Sequence, residues 1–157
     1  MANKRLIRLD IVNGNPRSIV AKADLEQGLF LEIKGKAQNV DLGGVDFEAY
    51  EVELAGTGTE RGQLMLHASV CNQYDERLSE VDFELKAGKV GRAYQPVMGD
   101  IVTIPKVAGV AVGNKLGLDA NGLLKVDADN AIAVVEAIEY INVPEADAQE
   151  SMVIRFL

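Results

Sequence analysis

Residues 47 to 71 read Phe-Glu-Ala-Tyr-Glu-Val-Glu-Leu-Ala-Gly-Thr-Gly-Thr-Glu-Arg-Gly-Gln-Leu-Met-Leu-His-Ala-Ser-Val-Cys. Two runs of alternating character are separated by a glycine-threonine turn. In the first, Tyr50, Val52 and Leu54 share one parity and Glu51 and Glu53 the other; in the second, Leu64, Leu66, Ala68 and Val70 oppose Met65, His67, Ser69 and Cys71. Successive side chains on a strand point to opposite faces, so a period of two predicts β-structure. Upstream, Leu29 to Lys34 alternates in the same way and stops at Gly35.

Downstream of Gly88, short apolar runs recur between glycine, proline or Asx turns: Val90 to Tyr94, Ile101 to Ile104, Val107 to Val112, Lys115 to Leu118, Leu123 to Val126, Ala131 to Ile141 and Met152 to Leu157. Turn signals spaced at roughly eight to twelve residues characterise sandwiches and barrels. Asp119-Ala120-Asn121-Gly122 is a hairpin signal, because Asn-Gly accepts the positive φ angles of a tight turn. Ala131 to Ile141 is long enough for a helix, but its β-branched and aromatic content favours a strand. Residues 79 to 88 fit a short helix, with Ser79 as its cap and Gly88 at its end. The alternation of Val81, Phe83 and Leu85 with acids leaves a strand as the other reading. The expectation is therefore a mainly β fold, a compact β-barrel or β-sandwich with one short helix. It forms a single domain over residues 1–157, with residues 1–16 as an extended N-terminal arm ending in the turn formers Asn13-Gly14-Asn15-Pro16.

Bulk properties agree with one core in a 157-residue chain. No apolar run approaches the roughly 20 residues of a membrane span, and no signal-like N-terminus is evident, so a soluble protein made in the cytoplasm is expected, without a membrane partner. The net charge of −8 and pI near 4.7 repel phosphate backbones and disfavour nucleic acid. Up to residue 22, Lys4, Arg5, Arg8, Arg17 and Lys22 face only Asp10, a local +4 that leaves −12 for the rest. A basic arm on an acidic body suits docking, just as it suits a merely solvated segment.

Sequence patterns for chemistry fail on spacing. Gly56-Thr57-Gly58-Thr59-Glu60-Arg61-Gly62 has its third glycine one place late for a dinucleotide loop and is followed by a strand pattern. Residues 109–115 lack P-loop spacing. Asp127-Ala128-Asp129-Asn130 would open a calcium loop that puts Ala131, Ile132 and Ile138 where ligands and a glycine belong, so Asx-turn chemistry explains it better. His67 and Cys71 lie about 13 Å apart on a strand, too far for a nucleophile–base pair. Asp75-Glu76 and Glu80-Asp82-Glu84 read as solvated faces. One cysteine and one histidine leave little for metal or redox chemistry, and no cofactor or metal is expected.

Tyr74-Asp75-Glu76-Arg77, Asp82-Phe83, Ala87-Gly88-Lys89, Arg92-Ala93-Tyr94 and Gly99-Asp100-Ile101 resemble small head proteins of tailed bacteriophages. Gly109 to Asp119 and Ile138 to Leu157 are similar to the β-barrel of phage capsid decoration, or cement, proteins. The resemblance covers roughly residues 64–157. It implies a non-enzymatic virion protein on the capsid exterior, a trimer bridging capsomers, with the major capsid protein and its own copies as partners. In that setting Lys4, Arg5, Leu6 and Arg8 would contact the shell or a neighbouring subunit. The other readings are a tail-tube, head-completion or head-fibre subunit, and a small ligand-binding barrel or enzyme using His67, Asp75 and Asp127.

Overall fold

The alternation at Leu64 resolves into a strand with no solvent face, because Leu64, Met65, Leu66 and His67 are all buried. Its even positions enter one hydrophobic core and Met65 enters another, so the strand is a wall between them. The computed structural model describes residues 6–37, 49–69, 84–142 and 147–157.

In chain order the strands are β1 (Arg8–Ile11), β2 (Pro16–Ala21), β3 (Leu25–Glu26), β4 (Phe30–Lys36), β5 (Tyr50–Leu54), β6 (Leu64–His67), β7 (Glu84–Leu85), β8 (Val90–Tyr94), β9 (Ile101–Pro105), β10 (Lys115–Leu118), β11 (Leu124–Val126), β12 (Ala133–Ile141) and β13 (Gln149–Phe156). Strands β2-β5-β4-β6-β8 close a five-stranded barrel, with β2 and β5 parallel and the other neighbours antiparallel. A second sheet runs β1-β9-β13-β12-β10-β11, and β3 pairs with β7.

The barrel interior holds Ile19, Ala21, Leu25, Leu31, Val52, Met65, Leu85 and Ala93. The outer faces of β4, β6 and β8 contribute Phe30, Leu64, Leu66 and Tyr94 to the second core, where the sheet supplies Val102, Leu116, Val135, Met152, Ile154 and Phe156 among others. Adjacent residues thus serve different cores: Phe30 and Leu31, Leu64 and Met65, Ala93 and Tyr94. Phe30 meets Phe156 edge-on across the layers at 6.1 Å.

The mainly β expectation holds, as do the strand over Ala133–Ile141 and the hairpin at Asn121-Gly122, where Gly122 takes φ +71° between β10 and β11. Other expectations change. No helix forms over the described part of 79–88: Glu84–Leu85 pairs with Leu25–Glu26, and Leu85 is buried in the barrel core. Residues 79–83 lie outside the described residues. Long-range pairing wins over local helical spacing here, and the left-handed Gly88 serves the turn into β8.

The described part of the N-terminal arm is no free extension. Arg8–Ile11 is an edge strand on β9, and Ile7 and Val12 pack against the inter-layer core. The run Val107 to Val112 is loop, turned by the left-handed Gly109 and Gly113, with Val110 buried beneath it. Leu54, which shares its parity with the buried Val52, is exposed at the end of β5.

Candidate functional site

Where the edge of the sheet meets the barrel, the carboxylate of Asp100, wholly buried, accepts the backbone N–H groups of Asn13 (2.9 Å), Gly14 (3.1 Å) and Val97 (3.1 Å). It thereby ties the turn after β1 to the turn before β9. Gly14 is required at this junction, since a Cβ there would lie 1.9 Å from the Gln95 carbonyl oxygen. Four apolar side chains on these two segments are exposed: Met98 at 81%, Ile11 at 55%, Leu9 at 45% and Val97 at 43%. In the sheet order β1 is terminal, so among the described residues one of its edges is unpaired.

Of the residues expected to dock, Lys4 and Arg5 lie outside the described residues. Leu6 is held in place, its N–H donating to Gln149 Oε1 (2.9 Å) and its carbonyl accepting from Gln149 Nε2 (3.0 Å). Arg8 is no free cation. Its guanidinium pairs with Asp10 and with Glu139 (3.0 Å) and reaches Thr103 Oγ1 at 3.1 Å. Those hydrogen bonds push the Arg8 guanidinium above its ordinary pKa. Lys22 is likewise matched by Glu51 at 3.0 Å. The local positive charge of the first 22 residues is therefore partly spent inside the fold.

His67 and Ser69 form the other polar constellation. Nδ1 lies 2.6 Å from the Glu26 carbonyl, which can only accept, so this nitrogen carries the proton; Nε2 accepts from the Ser69 hydroxyl at 2.7 Å. Ser69 Oγ in turn accepts the Arg92 N–H at 3.1 Å, and Gln27 brackets the Ser69 backbone on both sides. Burial pushes the imidazole below its ordinary value, opposed by the bond to Glu26. The pairing has the connectivity of a base and a hydroxyl nucleophile, but His67 is wholly buried and Ser69 only 8% exposed. It binds β6 to β3 and β8. Cys71 and Asp75 lie outside the described residues.

Asp127 closes an Asx turn, its Oδ1 accepting from Asp129 (3.1 Å) and Asn130 (3.2 Å), and these bonds hold its carboxyl low. With Arg61, Thr57 and Thr59 it borders a cleft of about 300 Å³. The threonine loop expected to be no dinucleotide site leads into a single 3-10 turn, Arg61–Gln63. Partial burial lowers the Arg61 guanidinium.

Comparison of the chain with family models, curated proteins and solved structures returns no match. The surface residues that sequence reasoning missed, Val97 and Met98, follow Pro96 in a turn that carries no alternation. Gly99-Asp100 was visible only as a turn.

Proposed function

We propose that this chain is a structural protein that acts by docking on other protein surfaces, with β1 and the 97–98 turn as its contact face. The observation that carries this reading is the unpaired edge of β1, a strand with exposed Leu9 and Ile11, together with exposed Val97 and Met98 in the turn that Asp100 ties to the end of that strand. An open strand edge that carries exposed apolar side chains is what a protein partner can cover. The sealing of His67 and Ser69 supports a binding role over a catalytic one.

The resemblance over residues 64–157 supports the more specific assignment. The chain is a decoration protein on the outside of a tailed-phage head, a trimer that contacts the major capsid protein and bridges capsomers. Leu6 and Arg8 then act as braces that hold the contact strand, and Lys4 and Arg5 supply the cationic contacts ahead of it.

The test is uptake of purified protein by shells that lack it. Stoichiometric, symmetric binding is expected, with greater heat resistance of the shell. Met98→Glu combined with Leu9→Glu should cut that affinity by about tenfold or more, as losses at central apolar contacts do, while leaving the free protein's melting transition almost unmoved. Absence of uptake by the unaltered protein, or equal uptake by the variant, refutes the reading.

A further inference from the structure

Asn-Gly is the dipeptide in which a backbone most readily attacks its own side chain, because glycine sets no Cβ beside its amide nitrogen. The chain has two, Asn13-Gly14 and Asn121-Gly122, and both asparagines are exposed. In this reaction the glycine nitrogen gives up its proton and attacks the asparagine Cγ. The new N–C bond closes a succinimide as the Cγ–Nδ2 bond breaks, and the side-chain amide leaves as ammonia with that proton. Water then opens the ring at one of its two carbonyls. One opening gives aspartate; the other gives isoaspartate, in which the main chain runs through the former side chain. The attack needs a glycine N–H that is free to lose its proton and an asparagine backbone that is free to turn.

The fold withholds both. Gly14 N–H donates to Asp100 Oδ2 at 3.1 Å, and Asn13 N–H donates to Oδ1 of the same buried carboxylate at 2.9 Å. Gly122 N–H donates to the Ala55 carbonyl at 2.9 Å, and Asn121 N–H donates to Asp119 Oδ1 at 2.7 Å. The two dipeptides stand in unrelated places, one between β1 and β2 and the other between β10 and β11, yet the same pair of amides is held in each. A hydrogen bond made by the N–H form stabilises that form against loss of its proton. At Gly14 the acceptor is also an anion, which opposes negative charge developing on the nitrogen.

We infer that Asn13 and Asn121 are latent deamidation sites that the fold keeps shut through the Gly14 bond to Asp100 and the Gly122 bond to Ala55, each converting only when its own turn lifts away. Isoaspartate adds one methylene to the main chain. At residue 13 it would draw Gly14 off Asp100, and at residue 121 it would draw Gly122 off Ala55 and Phe30, so that a passing opening becomes a permanent one. The first change would loosen the contact strand proposed above, although the inference does not depend on that reading.

The experiment ages the full chain in mildly alkaline buffer, folded and in guanidinium chloride, and reads each site by peptide mass spectrometry with isoaspartate labelling. Hydrogen exchange of the Gly14 and Gly122 amides is followed on the folded chain in the same buffer. Both sites should convert readily in denaturant and slowly in the folded chain. At each site the slowing should match the exchange protection of its own glycine amide to within about tenfold, since both reactions wait on one opening. Asp100→Ala should speed conversion at Asn13 by about tenfold or more and leave Asn121 at its unaltered rate. Asp100→Asn should do the same to a smaller degree, and it carries the test if the alanine variant does not fold. Conversion in the folded chain as fast as in denaturant overturns the proposal, as does slowing that fails to follow glycine protection. So does a folded Asp100 variant in which Asn13 is no faster, or in which both sites speed up alike. No shell enters these measurements, so failure here is separable from failure of shell uptake.

Discussion

Asp100 concentrates three backbone hydrogen bonds on one buried carboxylate, and each would become an unmet donor if the side chain were removed. Asp100→Ala should lower the free energy of unfolding by about 3 kcal/mol in urea titrations, the range seen when a buried hydrogen-bonded group is lost. Asp100→Asn, which keeps one acceptor oxygen, should cost clearly less. Equal losses for the two would show that the charge, not the acceptor geometry, holds the turns together. His67 makes a pH-dependent contribution of opposite origin. Its folded pKa is depressed by burial below the ordinary 6.5, so the unfolded chain takes up a proton that the folded one resists. Stability from this residue is complete above about pH 6.5 and declines as pH falls through that value toward the folded pKa. Urea unfolding between about pH 7 and 5 should show that decline in the unaltered chain and a flatter profile in His67→Gln.

At the scale of elements, the β10–β11 hairpin shows what local sequence carries and where it stops. Asn121-Gly122 announces the turn, but not that its tip is sewn onto the barrel. Gly122 O accepts from Phe30 N (2.7 Å), and Gly122 N donates to Ala55 O (2.9 Å). A Cβ at Gly122 would meet the Phe30 carbonyl oxygen at 2.6 Å, on a backbone already at φ +71°. Gly122→Ala should therefore destabilise by about 2 kcal/mol or more, beyond the roughly 1 kcal/mol of a left-handed residue in open turn. Gly113→Ala, also left-handed but with no atom within 4 Å of its Cβ, is the control expected to lose only the smaller amount. The β character of most segments was legible because alternation and β-branched composition are local properties, as at Ala133–Ile141. Three things were not. Glu84–Leu85 takes its conformation from Leu25–Glu26, some sixty residues away in sequence. The fate of Arg8–Ile11 depends on β9. Glu139 and Thr103, which hold Arg8 along with its neighbour Asp10, and Glu26, which holds His67 along with Ser69, lie on other strands, so neither the neutralised cation nor the sealed imidazole could be read from spacing alone.

For the whole molecule, the barrel and the second sheet share β4, β6 and β8 as a common wall. Neither layer can lose its packing without stripping the wall from the other. Calorimetry should therefore give one transition, with calorimetric and van't Hoff enthalpies that agree. Phe156→Ala, at the sheet's side of the wall, should lower the stability of both layers together by about 3 to 5 kcal/mol. Separate melting of barrel and sheet signals would contradict this. The common wall also sets an alignment problem that a strand with one wet side never meets. A strand normally resists sliding by one residue because the slide would drive oily side chains into water. For Leu64 to Leu66 that deterrent is weak, since oil lies on either side. What indexes the strand is the one polar side chain on it: the His67 ring finds a carbonyl and a hydroxyl on the barrel side that a slide would take away, so a single polar tooth keeps the ratchet in its notch.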